Sequence, residues 1–209
     1  MSSSLRSVAA VCCAVMMSGC SYTYTSKSGV GPASRIDDMI VSVQDVRRIA
    51  DAEDLAPRAE VDTHKPPPAD GNAPAPCKPV GHNDLTFGNG WSEFRSAGYH
   101  GVTDDIDPGG IALVNGVTQA VARYPDSGKA MAMFRQLESS LQACVALHNA
   151  EYDFTLDKPN AETLRITDRQ WCHLYRVKSA VMISVGALGL QGSEQIANTV
   201  LQTITDRVK

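Results

Sequence analysis

Cys20 follows directly on small Ser18 and Gly19, and no other residue of this chain is so clearly placed for chemistry. Upstream lie one positive charge, Arg6, and an apolar run from Val8 to Met17. Downstream the chain turns at once to Ser21-Tyr22-Thr23-Tyr24-Thr25-Ser26. A charged start, a short apolar stretch and small residues before a cut describe a secretory signal. The run falls short of the roughly 20 apolar residues that cross a bilayer. A cysteine at the cut makes it a bacterial lipoprotein signal: residues 1–19 are removed, and acyl chains join the Cys20 sulfur and the new amine. Met17 stands where leucine is more usual, and an ordinary, unacylated signal peptide is the alternative. The expected product sits on the extracytoplasmic face of the cell membrane, each buried methylene contributing about 0.8 kcal/mol.

Cys12 and Cys13 leave with the signal, so Cys77, Cys144 and Cys172 remain in an oxidising space where thiols pair. The expected bridge is Cys144–Cys172. Cys144 falls on the apolar stripe of a helix, and Cys172 opens a strand expected to pack beneath it. Closing such a loop is worth about 3 kcal/mol in the chain-entropy description. Cys77 paired with either of the other two is the alternative, which would tie down a proline-rich loop.

Other chemistry is sparse. His64, His82, His100, His148 and His173 stand apart, and no cysteine or histidine spacing describes a metal site. There is no Gly-x-Ser-x-Gly elbow, His-Glu-x-x-His or phosphate loop, so no catalytic residue, metal or cofactor is assigned. The glycines of Gly186–Gly192 have the wrong spacing for a dinucleotide loop, and Asp104-Asp105-Ile106-Asp107 lacks the twelve-residue calcium pattern. Trp171, His173 and Tyr175 share one face if their segment is a strand, which makes them the candidate ligand-cleft residues. A packed aromatic ladder is the plainer account of the same spacing. Trp91, Phe94 and Tyr99 read as a loop packed on the core. With 19 Lys and Arg against 23 Asp and Glu, and the cations scattered singly, nucleic acid is excluded as a partner.

The elements that must position these residues follow from periodicity. A tether rich in Ser, Thr and Gly covers 20–35, and Ile36–Ala50 reads as a short amphipathic helix. Seven prolines between residues 56 and 79 exclude helix and central strand. Ile111–Tyr124 reads as two strand-like stretches broken by a turn near Asn115-Gly116. Asp126 or Ser127 caps a helix with the stripe Ala130, Phe134, Leu137, Leu141, Cys144 and Val145. Strands are expected from Tyr152 to Leu156, Leu164–Ile166, Trp171–Lys178 and Ala180–Ala187. Ser193 caps a last helix with Ile196, Ala197, Val200, Leu201 and Ile204 on its apolar face. Without regular strand–helix alternation, the fold class is α+β: one domain, 36–209, with an antiparallel sheet packed against helices.

Read in order, these elements resemble the family of PknH-like extracellular sensor domains, which occurs on a mycobacterial Ser/Thr kinase and on lipoproteins. The resemblance rests on Ile36–Ala50, Pro76-Cys77, Val121-Ala-Arg-Tyr-Pro125 and Leu141-Gln-Ala-Cys144. It continues through Cys172-His-Leu-Tyr-Arg176, Val181-Met-Ile-Ser-Val185 and the closing helix, over roughly residues 36–208. It implies a disulfide-stapled α+β domain with a cleft for an unidentified small ligand. The family usually has a cysteine just after the strand that here is Val181–Val185, where this chain reads Gly186-Ala-Leu188. One of two family bridges is therefore expected to be missing, with Cys77 its orphaned partner. A tryptophan common before the helix-end cysteine is Ser139, Ser140 or Leu141 here. No kinase domain is present in this sequence, so a sensing output is expected to need another protein.

The expectation is thus a non-enzymatic, lipid-anchored envelope protein whose partners are the membrane and a small ligand or envelope component. An envelope hydrolase with a site invisible in sequence, and a structural surface lipoprotein, are the alternatives.

Overall fold

Strand-forming stretches yield seven strands among the described residues of this computed structural model, which are 35–69, 72–102 and 114–209. They are β1 (Ala56–Pro57), β2 (Glu93–Val102), β3 (Val114–Arg123), β4 (Thr155–Asn160), β5 (Thr163–Asp168), β6 (Trp171–Lys178) and β7 (Val181–Leu188). All pair antiparallel in one sheet of order β1-β2-β3-β7-β6-β5-β4. The α-helices are α1 (Val43–Ala50), α2 (Asn83–Phe87), α3 (Ser127–Val145) and α4 (Ser193–Arg207). The architecture is α+β, an antiparallel sheet between helices. The signal, Cys20 and nearly all of the tether lie outside the described residues, as do Ile111–Leu113 and the acidic run Asp104–Asp107.

Successive side chains on a strand point to opposite faces, and the register sorts this sheet's residues into two cores. On one face Val117, Val121, Leu174 and Val185 meet Val200 and Ile204 of α4, with Val46 of α1 joining them. On the other, Phe94, Ala122 and Met182 meet Phe134, Leu137 and Leu141 of α3. Burying each large apolar side chain contributes about 1.5–3 kcal/mol. The Asp126 carboxylate accepts from the Lys129 amide at 2.8 Å and caps α3. The α3 stripe is buried from Ala130 to Cys144, with Val145 half-buried.

Several local expectations are corrected. Ile36–Ala50 is not one helix: a 3-10 turn, Asp37–Met39, precedes α1. Ser42 ends the interruption by accepting from the Asp45 amide, an N-cap. Between them the Val41 backbone is held to the sheet by a buried amide. Val41 N–H donates to Gln119 Oε1 at 2.8 Å, while Gln119 Nε2 and the Tyr99 hydroxyl both donate to Val41 O at 2.7 Å. Helical geometry through Val41 would forfeit these bonds. Asn115-Gly116 makes no turn. Gly116 pairs with His100 on one side and Leu188 on the other, so ladders on both edges keep β3 straight. A side chain at Gly116 would stand 3.2 Å from Tyr99 O, which explains the glycine without a hairpin. Tyr152 lies in a 3-10 turn ahead of β4. Gly192, in the left-handed region, takes the N-cap position of α4; Ser193 is the first helical residue, its hydroxyl donating to Leu190 O. The proline-rich stretch contributes a two-residue edge strand and short 3-10 turns.

The expected Cys144–Cys172 bridge is also corrected: Cys144 pairs with Cys77, and Cys172 is a free, buried thiol. The reason is parity. Cys172 points with Leu174 to the α4 face, whereas Cys144 of α3 belongs to the opposite core, where the 3-10 turn Ala75–Cys77 packs.

Closing a loop with sequence separation 67 is worth about 4 kcal/mol in the chain-entropy description. Cys77→Ser should therefore lower unfolding stability by up to about 4 kcal/mol in urea melts. Non-reducing peptide maps should link 77 to 144 and label Cys172 only after unfolding. A linked 144/172 peptide contradicts this pairing.

Candidate functional site

The α3 face of the sheet is only partly covered. The registers align Phe94, Ala122, Met182 and Val177 in a row beneath α3. Six residues farther along β2, the row His100, Gly116, Leu188 and Trp171 lies at the opposite end. A cleft of about 230 Å³ opens there, floored by Ser96, Thr118, Ser184 and Gly186 and walled by Trp171 and His173. Arg58 and Val61, following β1, and Gly81 and Asn83, at the start of α2, contribute to its lining.

Small residues make the floor. A Cβ on Gly186 would stand 2.8 Å from Thr118 Oγ1 and 2.9 Å from His173 Nδ1, and one on Gly98 would meet Val61 Cγ2 at 2.5 Å. Alternation along β6 stacks an aromatic column beside this floor. Phe154 meets Trp171 edge-on at 6.4 Å, Trp171 meets His173 edge-on at 5.7 Å, and His173 stacks on Tyr175 at 4.6 Å.

Of the three expected cleft residues, Trp171 and His173 line the cavity. Tyr175 shares their face but is wholly buried in the α3 core beneath His173. Its hydroxyl has no hydrogen-bond partner among the described residues, and burial raises its pKa. Trp91 and Phe94 pack together at 5.7 Å on the α3 side, while Tyr99 faces the α4 side, so these three form no platform. The sequence alone does not single out Thr118 or Ser184, marks Gly186 only as a glycine of a rejected dinucleotide loop and of the missing family cysteine's place, and does not mark His100 as a lining residue. Only the register of β3 and β7 against β6 brings them to Trp171 and His173.

His173 Nε2 lies 2.7 Å from Ser184 Oγ, the separation of a nucleophile and its base. The chemistry does not follow from the distance. Burial pushes the imidazole down to about 3, so it is neutral and too weak a base to activate a hydroxyl. Among the described residues no carboxylate lines the cleft to orient the ring. Cys172, on the other face, has its thiol pushed up to about 11 by burial, which leaves it protonated and unreactive. Among the described residues no three His, Cys, Asp or Glu side chains gather for a metal. None of the described helices is long and apolar enough to cross a membrane.

The family model described as "PknH-like extracellular domain" matches residues 32–207. A solved relative in fold is the extracellular domain of PknH from Mycobacterium tuberculosis. The two align with a TM-score of 0.57 at 17% identity, covering 83% of this chain and 94% of that one. No curated protein matches the chain.

The neutral His173 generates a pH dependence. The unfolded chain binds a proton near the ordinary value of 6.5, which the folded chain refuses until about 3. This contribution to stability is complete above pH 6.5 and is lost as pH falls through that window, at most about 1.4 kcal/mol per pH unit. Urea melts at pH 7 and pH 4.5 should show the loss, and His173→Gln should show a smaller one. Equal pH dependence in both proteins contradicts a buried neutral imidazole.

Proposed function

The chain belongs to the PknH-like extracellular domain family, and from that premise we propose that it is a lipid-anchored, sensor-like envelope protein. Its sheet-face cleft takes a small ligand or a small part of an envelope component, without catalysing a reaction. The observation that carries this reading is the end of the α3 face that no described helix covers, a concave site walled by Trp171 and His173 and floored by small residues. Ligand sites are concave, mostly apolar and fitted with a few placed polar groups, and this cleft has that make-up. The non-catalytic part of the reading is supported by the protonation state of His173: the one serine–histidine contact in the cleft has no effective base.

The anchor is proposed at Cys20, on the strength of the apolar run and the small residues before it. Acyl chains would hold the domain outside the membrane, where its cleft meets envelope molecules.

Cys20→Ala should move the protein from the detergent phase to the aqueous phase on phase separation; identical partitioning of mutant and wild type sinks the anchor. For the cleft, mass spectrometry of natively purified protein should find a small molecule that is lost in Trp171→Ala. A co-purifying molecule retained in that variant, or none in either protein, counts against a cleft ligand.

A further inference from the structure

The polar groups of the cleft divide into those already committed and those left over. Ser96 Oγ donates to Val61 O at 2.7 Å. The Tyr99 hydroxyl and both ends of the Gln119 amide are taken by Val41. What remains includes Asn115 Oδ1, buried with no partner among the described residues, and three further groups. His100 lines the cleft, and its Nδ1 is buried with no partner among the described residues. Thr118 Oγ1 and His173 Nδ1 both stand against the bare Gly186 backbone. A buried polar atom without a partner is costly, so a ligand that pairs with it gains affinity.

Charge is sparse among the described lining residues. Among the described residues, Arg58 is the only lysine, arginine or carboxylate side chain in the lining, and its guanidinium is 2.6 Å from Glu60 Oε1. An ion entering this cleft would lose water and find no free counter-charge among the described residues.

The mouth is apolar in an unusual place. Val114 and Leu188 are among the few large apolar side chains exposed on the described surface, at 53% and 44%. Both line the cleft, and Leu188 pairs across the ladder with Trp171. Apolar residues exposed together beside an aromatic mark a contact surface. The cavity, about 230 Å³, is below the range of roughly 300–1,000 Å³ that holds drug-sized ligands. It takes a head group and a few methylenes, and a longer chain would run out across the lip.

We infer that the cleft recognises an uncharged amphipathic molecule, its hydroxyl- or amide-bearing head at His100, Thr118 and His173 and its apolar part against Val114, Leu188 and Trp171. This rests on the reading of the cleft as a ligand site and adds the chemical class.

The test is an amide and indole NMR titration of the mature domain with 1-octanoylglycerol, octanoate and octylammonium, each below its aggregation concentration. The glycerol ester should give saturable shifts at the Trp171 indole and the Gly186 amide, with at least tenfold higher affinity than either ion. Thr118→Val, nearly isosteric and exposed on β3, should weaken it by about tenfold while the rest of the spectrum stays native. Equal or tighter binding of either ion in the cleft overturns the uncharged class but leaves the cleft a ligand site. Unchanged affinity in Thr118→Val overturns the head position. Shifts from none of the three probes overturn the inference, whereas the cleft reading itself stands or falls on the co-purified molecule.

Discussion

The two-residue period of the strand is the constraint on which the rest of this structure depends. Because both faces of the sheet are covered by helices, every step along β6 changes the core a side chain enters. Cys172 and Leu174 go to α4; Trp171, His173 and Tyr175 go to the α3 side. That parity separates the free Cys172 thiol from the bridge, and it stacks three rings in a column. It also aligns the small residues of β3 and β7 beside them. A one-residue slip in β6 would put His173 into an aliphatic core and Cys172 into the cleft.

Two local devices close the remaining surface and so define what stays open. On the α4 face, the Gln119 amide and the Tyr99 hydroxyl hold the Val41 backbone, which fixes the segment leading into α1. On the α3 face, the Cys77–Cys144 bridge ties the proline-rich stretch to the end of α3. Residues soon after Cys77, Gly81 and Asn83, then reach the cleft. The cleft is therefore bordered by segments held by a disulfide and by ladder hydrogen bonds.

Much of this was legible from residue order. The α3 stripe, the apolar face of α4 and the bounds of β6 rest on local periodicity, and the structure keeps them. Two of the corrected expectations share a cause: a partner distant in sequence outweighs a local preference. Asn115-Gly116 prefers a turn, but β2 and β7 pair with it on both sides. Ile36–Ala50 has helical spacing, but Gln119, 78 residues beyond Val41, interrupts it. The Cys144–Cys172 expectation fails although the parity of Cys172 and Trp171 is readable. The face on which α3 lies is not, because it depends on the crossover from β3 to β4. Thr118 and Ser184 carry no local signal, and Gly186 reads locally only as a turn or loop glycine, since their meaning lies in cross-strand register.

Family membership and fold agree with an extracellular sensor-type domain, and the cleft is the site proposed for its ligand. The most direct measurement is a crystal structure of the protein purified from its native membrane without stripping bound molecules. The account predicts non-protein density against Trp171 and His173, above Thr118 and Gly186. Ordered water alone in the cleft, or density bound instead on the α4 face, would contradict it.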